Sequence, residues 1–336
     1  MNLPDIVNPD IPIPGTLTKW GYREMSEEDY RNFPAINNSL LKCPTLAEMY
    51  SLLTAPQQQT DALALGTLAD MAILTPQESW LNRFAVADIP VNPKTGVAYG
   101  ADSKKAAEAM AEAQAANPGK FVASADAIAE MTIELKEIVQ AFNDSALCRA
   151  TLDNSLKQVT GILWHPIWQC WVKWKPDVVP LKPDPKHGWC LADLKTSRRH
   201  VLQFDKDCAE FSYYNQAGWY AHCHELLMAS QGLTLRVTNF DFLVVGKSES
   251  GKRPRPAMAR KIRVPLDPEI NAHMATFHRH LFPTDGMGRV EMFLAALGEH
   301  IACQPDPSDK RAISKIWGAY ETESEPYVLC KLPFRI

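Results

Sequence analysis

Two stretches decide how this chain reads: Trp174-Lys175-Pro176-Asp177, then Trp189-Cys190-Leu191-Ala192-Asp193-Leu194-Lys195. The second is an apolar run that reads as a strand over Trp189 to Leu194, with charges two residues apart at Asp193 and Lys195. Side chains alternate faces along a strand, so Asp193 and Lys195 point the same way and Leu194 enters the opposite layer. The strand is otherwise apolar, which predicts a central place in its sheet, where charges are costly unless they have partners. Asp177 follows an earlier strand, and Pro176 stiffens its approach. If the two strands lie side by side, Asp177 joins Asp193 and Lys195. Two carboxylates on adjacent strands make a hard-oxygen pocket suited to Mg2+ or Mn2+. The lysine there can orient and help deprotonate an attacking water, while the ion offsets charge building on a phosphodiester. Taken alone, Asp-x-Lys also fits an ordinary ion pair on a solvated sheet face.

The chain has 336 residues, 35 basic and 39 acidic, for a formal charge of −4. That excludes a globally basic nucleic-acid coat, so DNA binding would need a local patch or a metal site. At 46% hydrophobic and 22% charged residues, a folded globular chain is expected and disorder of the whole is not. No run approaches the ~18 apolar residues of a membrane span. The first residues, polar and proline-rich, lack the regions of a signal peptide. The expected location is therefore cytoplasmic, with no membrane partner. Eight scattered cysteines, with no Cys-x-x-Cys pair, argue against zinc and against an iron–sulfur cluster.

Residues 1–20 read as an extended, proline-bearing arm. One elaborated domain is expected over 21–336: a helical part at 21–155, the metal-site sheet and its helices at 156–265, and a helical or irregular extension at 266–336. Ser26 precedes an acidic first turn that suits a helix start. Asn38 or Ser39 looks like the cap of a short helix. Asp61 to Leu74 reads as a buried helix that Pro76 ends, Lys104 to Ala116 as an alanine-rich helix stopped by Pro118-Gly119, and Ser124 as the cap of a third. In that third helix Ile128, Met131, Leu135, Ile138, Val139 and Phe142 share one face. Val159 to Trp164 and Cys170 to Trp174 read as a hairpin. Phe204 to Ala229 reads as one long helix, with Tyr213, Gln216 and Tyr220 on one face. Val237 to Val245 and Ala259 to Val264 are strands that pair. Pro268 to Leu297 reads as helix broken near Pro283, and the tail after Pro305 as irregular. The fold class is α/β (α+β), a small mixed central sheet flanked by helices, with a helical N-terminal portion.

Several segments, in order, resemble the PD-(D/E)xK nuclease superfamily and, within it, the RecE-type exonucleases (exodeoxyribonuclease VIII) of phages and prophages. They are Glu28-Asp29-Tyr30 with Pro34 to Lys42; Ala64-Leu65-Gly66-Thr67-Leu68-Ala69-Asp70; Lys175-Pro176-Asp177 with Asp193-Leu194-Lys195-Thr196; Tyr213-x-x-Gln216-x-x-x-Tyr220; and Trp317-Gly318-Ala319-Tyr320 with Leu332-Pro333. The resemblance implies a restriction-endonuclease-like core. It implies Asp177 and Asp193 as metal ligands, Lys195 serving the attacking water, and Gln216 and Tyr220 supporting the site or touching the DNA backbone, with Tyr213 a weaker candidate. Asp70 stands where the family usually has histidine; it can ligate Mg2+ or be a helix-surface aspartate. Gln158 lies near a position that is often acidic in relatives.

Arg198, Arg199 and His200 follow the metal strand, and Lys247, Lys252, Arg253, Arg255, Arg260, Lys261 and Arg263 surround the late hairpin. Beside a nuclease site such residues suit phosphate contacts. His222 and His224, two apart on a helix, point in different directions and do not share a metal. The hairpin tryptophans are read as core. No Gly-x4-Gly-Lys-[Ser/Thr] segment is present, so no nucleotide cofactor is expected. The resemblance thus implies a Mg2+-dependent exonuclease on double-stranded DNA ends, cutting 5′ to 3′ and leaving 3′ overhangs for recombination. It further implies a ring-shaped homo-oligomer and a RecT-like single-strand annealing partner. The alternatives are a nuclease-fold binding or inhibitory protein without turnover, and a structure-specific endonuclease.

Overall fold

The computed structural model describes residues 3–43, 45–54, 60–76, 80–100, 102–185, 188–197, 199–248, 256–266, 289–304 and 308–318. Short strands β1 (Thr16–Leu17) and β2 (Arg23–Glu24) precede helices α1 (Glu27–Asn32), α2 (Asn38–Leu41), α3 (Leu46–Thr54) and α4 (Asp61–Leu74). Strand β3 (Phe84–Val86), helix α5 (Lys104–Ala116), strand β4 (Phe121–Ala123), and helices α6 (Ala125–Asp144) and α7 (Ala146–Leu152) follow. Then come β5 (Ser155–Lys157), β6 (Gly161–His165), β7 (Cys170–Trp174), β8 (Val178–Pro180) and β9 (Trp189–Ser197). Helices α8 (Phe204–Glu210) and α9 (Tyr213–Ser230) lead to β10 (Val237–Gly246) and β11 (Met258–Pro265). Two last helices span Arg289–Cys303 and Lys310–Gly318.

The central sheet has five strands in the order β11-β10-β9-β8-β5. β10 runs parallel to β9 and antiparallel to β11, and β8 is antiparallel to both β9 and β5. A parallel pair needs a crossover, here supplied by α8 and α9. Both faces are covered, which is why β9 and β10 are near-continuous apolar runs. On one face Ala192, Leu194, Leu243 and Val245 pack with Leu65, Leu68 and Ile73 of α4 and Leu135, Ile138 and Phe142 of α6. On the other, Leu191, Phe240, Phe242 and Val244 pack with Ala217, Trp219, Tyr220 and Leu227 of α9. Asp193 and Lys195 therefore open toward α9 and Leu194 toward α4 and α6, the alternation a strand requires.

Local chemistry sets most element ends. Ser26, Ser103 and Ser124 each accept the backbone N–H three residues on, filling one orphan donor of a helix start. The short helix α2 is capped by Asn37, not Asn38 or Ser39: Asn37 is the extended residue, and its Oδ1 accepts from Leu40 N at 3.0 Å. The expected single helix over Phe204 to Ala229 is two, because Ser212 adopts a left-handed backbone (φ 51°) between α8 and α9. The N-terminal segment is not simply extended. Leu3–Val7 is a 3-10 turn whose Leu3 and Ile6 enter the main core, and β1 pairs with β2. Helix α4 is less buried than expected, since Leu63 is exposed. The tail expected to be irregular holds the helix Lys310–Gly318, whose Ile313 and Trp317, one turn apart, are both buried. The expected break near Pro283 lies outside the described residues.

The β6–β7 hairpin forms as expected but stands apart from the central sheet as its own two-stranded ribbon. Gly161 faces Trp174 across it, and a Cβ at Gly161 would lie 2.2 Å from the indole ring. Trp174 is fully buried, with its Nε1–H donating to the Tyr22 hydroxyl at 3.1 Å, so it cannot swing away cheaply. No helix among the described residues is long and apolar enough to cross a membrane. Gly161→Ala is expected to destabilise the fold by about 1–3 kcal/mol through overpacking, read as a lower urea midpoint with an unchanged slope. An unchanged midpoint would show that the Trp174 ring can yield.

Candidate functional site

The site forms where β8 and β9 part. Their one ladder pair is Val178↔Ala192. Just before it, Asp177 turns its carboxylate onto β9, and Oδ2 accepts from Leu194 N at 2.6 Å. Its Oδ1 accepts from Gln158 Nε2 at 2.6 Å, and Gln158 N bonds Asp177 O at 3.0 Å, extending the β5–β8 pairing by one residue. Asp177 is thus fixed by one strand on each side. A carboxylate oxygen has two acceptor positions, so both oxygens keep a lone pair for a further ligand.

Asp193 lies next along β9, with Oδ2 accepting from Lys195 Nζ and from Gln216 Nε2 at 3.3 Å. Asp193 is 3% exposed at its side chain and Lys195 17%, so the ammonium is the part of the pair that faces outward. Gln216 also donates to Tyr220 Oη at 3.1 Å; Tyr220 supports the glutamine rather than the carboxylate. Tyr213 opens α9, and its ring centroid lies 5.0 Å from Lys195 Nζ. Asp70 on α4 is only partly buried and has no hydrogen-bond partner among the described residues. Its charge is nonetheless felt at Asp177, as are those of Asp193 and Lys195.

Electrostatics mark these groups as strained in charge. Burial, then the neighbouring Asp193 and Asp70 charges, push the Asp177 carboxyl well above the usual carboxylate range against the pull of Lys195 and the Leu194 amide. Burial and Asp193 push Asp70 up to about 7, although Lys195 and Lys175 oppose them. Burial alone would lower Lys195, but Asp193 outweighs it and holds the ammonium charged. Clustered carboxylates that resist ionisation are relieved by a cation. Among the described residues, no three His, Cys, Asp or Glu side chains stand close enough together to enclose a metal ion. The two carboxylates of Asp177 and Asp193 offer hard oxygen donors of the kind that suit a divalent ion completed by water and substrate oxygens.

The expected phosphate contacts fare differently. Arg198 lies outside the described residues, as do Lys252, Arg253 and Arg255. Arg199 is turned to Asp207 and Glu210. Lys247 pairs with Glu134, and Lys261 and Arg263 both pair with Asp241. Arg260 alone of the late-hairpin group is exposed without such a pair among the described residues. Three participants carried no assigned role in the sequence. Gln158 appeared as a missing acid and instead donates to Asp177. Lys175 at the site's edge pairs with Glu27 at 2.9 Å. Lys42, at the C-terminal end of α2, places its Nζ 5.4 Å from the Tyr213 ring. A lone cation closing the apolar run Leu40-Leu41 was the available signal for it.

No protein-family model and no curated protein matches the chain. Among solved structures, the crystal structure of a candidate exonuclease from Eubacterium rectale aligns over 90% of this chain and 96% of its own, at 13% identity and a TM-score of 0.46. A likeness of that size assigns no activity.

Asp70→Asn tests the charge strain. Asp70 titrates near 7 in the folded chain and near 4 when unfolded. Its contribution is therefore fully present below about pH 4 and is lost as pH rises to about 7. In metal-free buffer the variant is expected to exceed the wild type by on the order of 2 kcal/mol at pH 8, with the gap closing toward pH 5. A gap independent of pH in thermal melts would mean that Asp70 is an ordinary surface carboxylate.

Proposed function

We propose that this protein is a divalent-metal-dependent deoxyribonuclease that hydrolyses phosphodiester bonds at the ends of linear double-stranded DNA, 5′ to 3′. The observation that carries the reading is the convergence of Asp177, Asp193 and Lys195 at the parting of β8 and β9, backed by Gln216. The ordered motifs shared with RecE-type exonucleases support the same conclusion and supply the polarity. By that resemblance the products are 3′ overhangs suited to a RecT-like single-strand annealing protein, and the enzyme acts as a ring-shaped homo-oligomer.

Asp177 and Asp193 are the residues that would hold Mg2+, or Mn2+ in its place. The ion, when bound, supplies Lewis-acid polarisation of the phosphodiester and neutralises charge in the transition state. Lys195 acts as a charged donor. Its ammonium, held by Asp193, points an N–H at the oxygen of an attacking water and steadies negative charge on the phosphoryl oxygens. In that state it orients the water rather than taking its proton. Gln216 holds Asp193 in place, and Tyr220 holds Gln216, so the carboxylate presents a fixed direction. Asp70 adds charge that strengthens attraction for the cation.

A second reading, a nuclease-fold protein that binds DNA without turnover, draws on Gln158. Its amide occupies one position on Asp177 Oδ1, where a carboxylate would have repelled Asp177 and favoured an added cation. The two readings separate in a time course on linear duplex labelled at either end, with Mg2+ or Mn2+. Wild type is expected to release the 5′ label early as mononucleotide, and Asp193→Asn and Lys195→Ala to slow release by about a hundredfold or more. A wild type that shifts the duplex in a gel but leaves it intact in either ion would establish the second reading instead.

A further inference from the structure

Lys42 is out of balance with its surroundings. It caps the C-terminal end of α2, a four-residue helix started by Asn37, and its ammonium reaches the ring of Tyr213 on α9. Lys195 reaches the same ring. Two cations thus converge on one aromatic platform, with Asp193 the one carboxylate hydrogen-bonded to either. Other basic groups are satisfied within the fold: Lys175 by Glu27, Lys247 by Glu134, Lys261 by Asp241, and Lys173 by the Tyr30, Arg31 and Phe33 carbonyls. Lys42 has no carboxylate partner among the described residues, and it is half-buried, so its charge is neither paired nor freely hydrated. Burial, then Lys195, push it down to about 8 against the opposing pull of Asp193, as befits a partly buried cation beside a like charge. The platform itself is fixed: Tyr213 packs on Phe204, Phe211 and Phe242 at centroid distances of 5.7, 5.7 and 5.8 Å.

We propose that Lys42 binds a non-bridging oxygen of the DNA phosphate backbone next to the phosphodiester cut at Asp193 and Lys195, with the Tyr213 ring fixing the spacing of the two ammoniums. The proposal rests on the nuclease reading above and adds a substrate-binding residue to it. An anion between the ammoniums cancels their repulsion and supplies the missing counter-charge. The contact touches phosphate alone and so carries no sequence preference.

The test measures duplex binding in EDTA across a salt series for wild type, Lys42→Met and Lys42→Arg, then cleavage kinetics in Mg2+. Losing one phosphate contact should lower the slope of log K against log salt by about one. Lys42→Met is expected to show that change and a KM raised about tenfold, with kcat within about twofold of wild type. Lys42→Arg should keep the wild-type slope. Thermal melts check folding, and Lys42→Gln serves the same comparison if the methionine variant fails to fold. A Lys42→Met protein with wild-type slope and KM overturns the proposal while the nuclease reading stands. A wild type that binds but does not cut overturns the nuclease reading, and the slope comparison still decides Lys42. A wild type that does neither overturns both.

Discussion

A single hydrogen bond, from the Leu194 amide to the Asp177 carboxylate, stands where the β8–β9 ladder gives out. The strands pair at Val178↔Ala192, and on that register Pro176 would fall opposite Leu194. Proline has no N–H to give a ladder, and the strands separate. The Leu194 amide is buried in the middle of the sheet and cannot be left without an acceptor. Asp177 meets that need with a side chain. The same bond sets a carboxylate beside Asp193, so backbone satisfaction and site construction share one cause.

The price of this construction is charge. Asp177 and Asp70 resist ionisation, while Lys195 is held charged by Asp193. Such a cluster is poor at stabilising a fold, since burying like charges costs more than a single ion pair returns. Its arrangement makes sense as a place prepared for outside charge, positive at the carboxylates and negative at the lysines. The late hairpin shows the opposite design. Lys261 and Arg263 share Asp241, and Lys247 is paired across to α6. Basic residues that look alike in the sequence are structural there and unpaired at Lys42.

How much was legible follows from the range of each interaction. Caps such as Ser26 and Ser124 act over three residues, and the stripe of α6 repeats within one helix, so both could be read directly. The Asp193–Lys195 alternation is a property of any strand. The break at Ser212 carries no proline or glycine to announce it, yet it sets Tyr213 at the start of α9 rather than within a longer helix. Gln158 is nineteen residues from Asp177, and its partner is chosen by the β5–β8 register, which no local pattern encodes.

By itself the sequence determined the mixed α/β class, the main helices and strands, and the shared face of Asp193 and Lys195, because periodicity and capping are short-range and geometric. Its motif order also brought Asp177 and Gln216 into consideration. The tertiary structure alone decided which charges meet. It set Arg199 against Asp207 and Glu210, gave Gln158 to Asp177, and brought Lys42 and Lys195 to one tyrosine ring. Those outcomes depend on the packing of α2 and α9 and on where two strands cease to pair, and Coulomb forces act on that arrangement whatever the separation along the chain.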